Sequence, residues 1–175
     1  MANLIIMSII WLSTSFCFYL INILSNTFDD VYQTGVINGS AEMTGYICAA
    51  LVYEKIGVKA SFITAFSIST LGGILILAYG LNHQDGVSFL AFFLFAKFGV
   101  TACFTICYAA NNFFFPTLFA ATAIGFCNFL ARIFSSFSFI VEDLDEPTPM
   151  IIFTIGCSAS AIAAFFLRTQ KEQTE

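Results

Sequence analysis

Apolar residues run along this chain in six blocks, at about 4–24, 35–53, 60–81, 87–109, 117–140 and 149–167. Each is close to the roughly 20 residues that a helix needs to cross a hydrocarbon core of about 30 Å. The blocks are apolar throughout rather than alternating, which predicts helices and excludes the strands of a membrane barrel. Little chain is left between them, so residues 1–175 are expected to form a single six-helix membrane domain. The first block, "MANLIIMSIIWLSTSFCFYLINILS", invites a signal-peptide reading. A signal peptide carries a basic segment before a short apolar core. No Lys or Arg precedes Lys55 and the run is long, so a retained helix is expected.

Composition agrees: 59% of the residues are hydrophobic and 10% charged, with a mean hydropathy of +0.90, whereas soluble domains are about a quarter charged. Basic residues collect in cytoplasmic loops. Lys55 and Lys59 separate the second and third blocks, and Arg168 and Lys171 follow the sixth. With an even number of spans all four share a side with the N-terminus, so both termini are expected on the cytoplasmic side, or the matrix side of an organelle. The opposite loops carry Asp29, Asp30, Asp85, Glu142, Asp143, Asp145 and Glu146 without a basic residue. The pI of about 4.6 therefore reflects an acidic outer face, and nothing points to nucleic acid.

Three charges fall inside the blocks: Glu42, Lys97 and Arg132. A charge at the bilayer centre costs roughly 2.5–3.5 kcal/mol on the mildest scale, and such residues face a bundle interior or a wet cavity. Lys55 can snorkel from a helix end; Lys97, about ten residues from either end of its block, cannot. At 3.6 residues per turn, Lys97 shares a face with Thr101, Thr105 and Tyr108. Equivalent stripes are Trp11, Ser15, Tyr19 and Asn22 on the first helix, Asn38, Glu42, Gly45 and Tyr46 on the second, and Asn128, Arg132 and Ser135 on the fifth. Four helices are thus expected to line something, with the third and sixth outside. Gly72, Gly73, Ser158 and Ser160 read as helix-packing positions.

Catalytic and metal-binding patterns are not apparent. His83 is the only histidine and sits in the "LNHQDG" turn; Cys17, Cys48, Cys103, Cys107, Cys127 and Cys157 all lie in apolar blocks, where cysteine acts as a small hydrophobe. Cys103 and Cys107 share a face, but no His or carboxylate accompanies them. Asn38-Gly39-Ser40 has the letters of a glycosylation site but belongs to a span. No catalytic residue, metal or cofactor is expected.

Two stretches resemble the organic cation and anion transporters of the major facilitator superfamily. "DVYQTGVINGSAEMTGYICAALVYEKIGVKAS" is similar to that family's seventh and eighth helices, with Asp30, Tyr32, Ile37, Gly39, Glu42, Tyr46, Lys55, Gly57 and Lys59 in register. "AKFGVTACFTICYAANNFFFPTLFAATAIGFCNFLARI" is similar to its tenth and eleventh, through Lys97, Phe98, Tyr108, Phe115, Pro116, Thr117, Gly125, Ala131 and Arg132. The resemblance covers nearly the whole chain and implies an all-α membrane protein, the six-helix half of a twelve-helix major facilitator fold.

Further implications are a substrate cavity at the midplane between two halves, faced by Glu42, Lys97, Arg132, Tyr19 and Tyr108, and a cytoplasmic loop motif of Glu54, Lys55, Gly57 and Lys59. Two cations favour an organic anion, with Glu42 neutralising one of them or meeting a cationic substrate; the aromatic rings would hold its apolar body. The partners implied are membrane lipid, a small organic ion, and a second six-helix half or larger membrane complex. Departures bear on this. Phe113 and Ala120 stand where the family carries an acid and an arginine of a cytoplasmic charge cluster, and Val58 replaces a loop arginine. The lost cluster leaves open a structural subunit that does not transport, and a sugar-porter-like half is the third alternative.

Overall fold

A computed structural model describes residues 2–25, 31–80, 87–114 and 117–167. Of the residues invoked above, Asp29, Asp30, His83, Asp85, Phe115, Pro116, Arg168 and Lys171 lie outside this set. The described elements are all helical: α1 (Ala2–Leu24), α2 (Val31–Ile56), α3 (Val58–Leu75), α4 (Val87–Phe114), α5 (Thr117–Ser135), α6 (Phe137–Glu142) and α7 (Thr148–Phe165). A wider π-helical turn, Ile76–Gly80, extends α3.

The six predicted helices are present, with three adjustments. Among the described residues, five segments are long and apolar enough to cross a membrane: Leu4–Leu24, Val58–Tyr79, Phe89–Phe114, Leu118–Glu142 and Thr148–Phe165. α2 has the length, about 39 Å for its 26 residues, but its polar stripe and terminal Glu54 and Lys55 leave it less apolar than the others. α4 continues past the predicted end at 109 through Asn111 and Asn112. Polar letters suggest a loop there, but Asn111 Nδ2 donates to the Ala120 carbonyl at 2.9 Å and ties the ends of α4 and α5 together. The fifth predicted helix is interrupted at Ser136. Ser135 Oγ and Ser136 Oγ both donate to the Arg132 carbonyl, at 3.0 and 3.2 Å, and Ser138 Oγ donates to Ser135 O at 2.6 Å. Hydroxyls bonding back to their own turn compete with the helical ladder and open it.

α1 and α4 pack together at the centre, α2 lies against α4, and α5 lies against α1. α3 and α7 pack on each other and cover the opposite side, α3 on α4 and α7 on α1. Small residues make this back layer tight. A Cβ added at Gly72 would stand 2.5 Å from the Ala96 nitrogen, and one at Gly99 2.5 Å from the Ser69 nitrogen, so α3 and α4 approach at a distance that only glycine permits. Ser69 Oγ crosses the seam to the Ala96 carbonyl at 2.9 Å. Ser160 Oγ reaches Ser13 Oγ at 2.6 Å between α7 and α1. The core behind these contacts is filled by Trp11, Phe62, Phe66, Phe93 and Phe153, all essentially buried. Ser158 bonds within its own helix, to Ile155 O.

Candidate functional site

The side of the bundle away from α3 and α7 is built by the four helices that carry polar stripes, and it gathers their polar side chains into two clusters. The first surrounds Lys97. Its side chain is fully buried, and Nζ lies 3.0 Å from Glu42 Oε1, whose side chain retains 27% exposure. Nζ also donates to Asn22 Oδ1 at 2.6 Å. An ammonium in apolar surroundings is tolerated when paired and hydrogen-bonded, and here α2 supplies the carboxylate and α1 the amide. Beside this pair, Asn38 Nδ2 donates to Ser25 Oγ at 2.7 Å, and Ser25 Oγ donates to the backbone carbonyl of Asn22 at 2.6 Å, which joins the start of α2 to the end of α1. Because α4 begins at Val87 and ends at Phe114, Lys97 sits in the middle third of its helix, just before the midpoint.

The second cluster surrounds Arg132. Arg132 Nη1 donates to Tyr19 Oη, and the guanidinium carbon stands 5.4 Å from the Tyr19 ring centroid, a cation–π distance. Arg132 is exposed and has no carboxylate within ion-pair distance among the described residues. Alongside it, Asn128 Nδ2 donates to Tyr108 Oη at 3.2 Å. Tyr108 meets Trp11 edge-on at 4.7 Å between centroids and Phe104 at 5.6 Å. Phe104 in turn stacks on Phe18 at 4.9 Å. Trp11 is 1% exposed and Tyr108 37%, so the tryptophan forms the floor and the tyrosine the open surface.

The predicted residues thus divide. Glu42 and Lys97 come together, as do Arg132 and Tyr19, while Tyr108 joins Asn128 beside the second pair. Glu42 is the partner of Lys97 rather than of Arg132. Asn22 and Asn128 complete the two clusters; both were on the helical stripes, but neutral amides in an apolar block carry no signal that singles them out. Thr101 does not line the open side. It is fully buried, with its Cγ2 within 3.1 Å of where a side chain at Gly45 would begin, so it belongs to the α2–α4 contact.

The loop-motif residues lie at one end of the bundle. Gly57 joins α2 to α3 with φ of 78°, Glu54 and Lys55 are exposed, and Lys59 Nζ stands 5.5 Å above the Phe165 ring. Glu142, which ends α6, and Asp143 and Asp145, between α6 and α7, lie at the other end. The cysteines are free thiols within helices; Cys107 Sγ contacts Thr14 Oγ1 at 3.8 Å.

No protein-family profile matches the chain. Among curated proteins it is similar to solute carrier family 22 member 6-A of Xenopus laevis, 28% identical over 166 residues. Member 6 of Pseudopleuronectes americanus is 26% identical over 165 residues, and each alignment covers 92% of this chain and 29% of the relative. Member 4 of Mus musculus is 24% identical over 134 residues, 75% of this chain and 24% of the relative. The chain therefore spans less than a third of the length of these relatives. Five apolar helices of membrane-spanning length and a likeness to solute carriers along most of the chain describe a multi-pass integral membrane protein.

Proposed function

We propose, from a likeness to solute carrier family 22 that runs along nearly the whole chain, that this six-helix unit is one half of a major facilitator transporter for small organic ions, anions favoured. Its polar side would face a second six-helix half, supplied by another chain, a copy of itself or a longer form of this one. Alternating access would move the solute between the halves without covalent chemistry, with the cytoplasmic side at the Lys55 and Lys59 end.

The observation that carries the anion preference is the unequal pairing of the two cations. Lys97 is neutralised by Glu42 within the bundle, leaving Arg132 without an opposing carboxylate among the described residues on the open side. A carboxylate or sulfonate would take its guanidinium as a bidentate partner. Tyr19 and Tyr108 would flank the apolar body of the solute, and Asn128 would offer an amide. Glu42, exposed by about a quarter, would bring the solute's charge to bear on Lys97.

The test is uptake. The chain, with whatever partner co-purifies, is reconstituted into liposomes, and saturable uptake of a labelled aromatic carboxylate is compared with that of a quaternary ammonium. Arg132→Ala should weaken anion uptake by about 10- to 100-fold, the worth of a hydrogen bond to a charged group. Intact saturable uptake in Arg132→Ala and Lys97→Ala would sink the assignment. A structural subunit that does not transport is the second reading, favoured by the apolar Phe113 and Ala120 at the charge-cluster positions; it predicts a stable larger complex and no uptake.

A further inference from the structure

At the basic end of the bundle a groove of about 900 Å³ opens between the α2–α3 junction and the last turns of α4 and α7. Its walls include Ile56, Ile63, Phe113 and Phe165, and its charged lining groups are Lys59 and Glu54. Three membrane-spanning segments begin or end at this level: Val58–Tyr79 begins one residue before Lys59, Phe89–Phe114 ends one residue after Phe113, and Thr148–Phe165 ends at Phe165. The groove therefore sits where the hydrocarbon meets the headgroups. Lys59 Nζ lies over the Phe165 ring at 5.5 Å, with no carboxylate in ion-pair range among the described residues. Lys55 adds a second positive charge at the same end, and exposed Glu54 offsets one of the two.

We propose that this groove binds the phosphate headgroup of an anionic glycerophospholipid. An apolar cleft at interfacial depth with a lysine at its mouth suits an amphiphile: Phe113, Phe165, Ile56 and Ile63 take the glycerol and upper acyl carbons, and the Lys59 ammonium meets the phosphate of a headgroup with net negative charge, which the choline of a zwitterionic lipid would cancel. Basic pockets between membrane helices hold anionic headgroups by this combination. A free phosphate would leave the apolar walls unused. Phe113 has a specific part, since a carboxylate at its position would repel the phosphate and an apolar ring admits the lipid. Glu54 works against binding, and its removal tightens it.

The experiment places the full chain, with any co-purifying partner, in phosphatidylcholine nanodiscs containing a minor fraction of phosphatidylserine, and counts retained lipids by native mass spectrometry. Saturable retention of phosphatidylserine above its bulk fraction is expected. Lys59→Ala should lower the enrichment about fivefold, the contribution of one lysine at an anionic interface. Lys59→Arg should keep it, Phe113→Glu should abolish it, and Glu54→Gln should raise it. Lys55→Ala, outside the groove, should change it much less. Equal retention of both lipids by the unmodified chain, or equal losses from Lys55→Ala and Lys59→Ala, would overturn the proposal. Displacement of the lipid by inorganic phosphate alone would do the same. The readout is independent of transport, so it stands or falls separately from the substrate assignment.

Discussion

Lys97 and Arg132 are both cations carried by apolar membrane segments, yet the bundle accommodates them in opposite ways. Lys97 is fully buried with two partners from two other helices, Glu42 at 3.0 Å and Asn22 at 2.6 Å. Arg132 faces the open side, held by Tyr19 through a hydrogen bond and its ring, with no opposing carboxylate among the described residues. The difference follows from side-chain chemistry. An ammonium is a compact, strongly hydrated charge that needs replacement of its hydration shell, whereas a guanidinium is weakly hydrated and stacks on aromatic faces. A buried neutralised pair joins helices; a cation left at the surface of the fold is available to something else.

The largest effect expected from breaking this contrast is at the Lys97 pair. Glu42→Gln strands an ammonium in the core and should cost about 3–5 kcal/mol in unfolding measured in nanodiscs. The double variant Glu42→Gln with Lys97→Met should recover most of that loss, and strictly additive losses would show that the two charges are not coupled.

The tight back layer gives the next largest effect. Gly99→Leu must displace α3, because even a Cβ there lies 2.5 Å from the Ser69 nitrogen and 2.7 Å from the Ala65 carbonyl. A loss of about 1–3 kcal/mol is expected. Gly125→Ala, in α5, has no atom within 4 Å of the new Cβ, and by the same measurement should cause no loss.

Arg132→Gln should give the smallest effect on stability, within about 1 kcal/mol, as for other exposed charges. A loss as large as that of Glu42→Gln would erase the distinction between the two cations and make Arg132 a structural group.

Much of this was legible in the chain. Runs of about 20 apolar residues and the i, i+4 spacing of Lys97, Thr101, Thr105 and Tyr108 located the helices and the polar face of α4. Those features are local, and periodicity reports them directly. The limits of the elements were less legible. Asn111 looks like loop but bonds to Ala120 O across the turn, and the serines at 135, 136 and 138 break a helix that their neighbours would continue. Thr101 shows why a stripe is not a lining: it shares the face of Lys97 but lies beneath Gly45, because α2 crosses α4 at that level.

From sequence alone came the solvent of this protein, its helical build, and the three residues that carry charge into its helices, since each depends only on composition and spacing along one helix. Which charges meet depends on helix packing. Both Lys97 and Arg132 were candidates for Glu42, and only the seating of α2 against α4, with α5 beyond α1, decides for Lys97. The same packing brings Asn22, 75 residues distant in the chain, to within hydrogen-bonding range of the lysine. Pairing across helices is set by close packing of side chains from distant segments, and spacing along any one helix does not encode it.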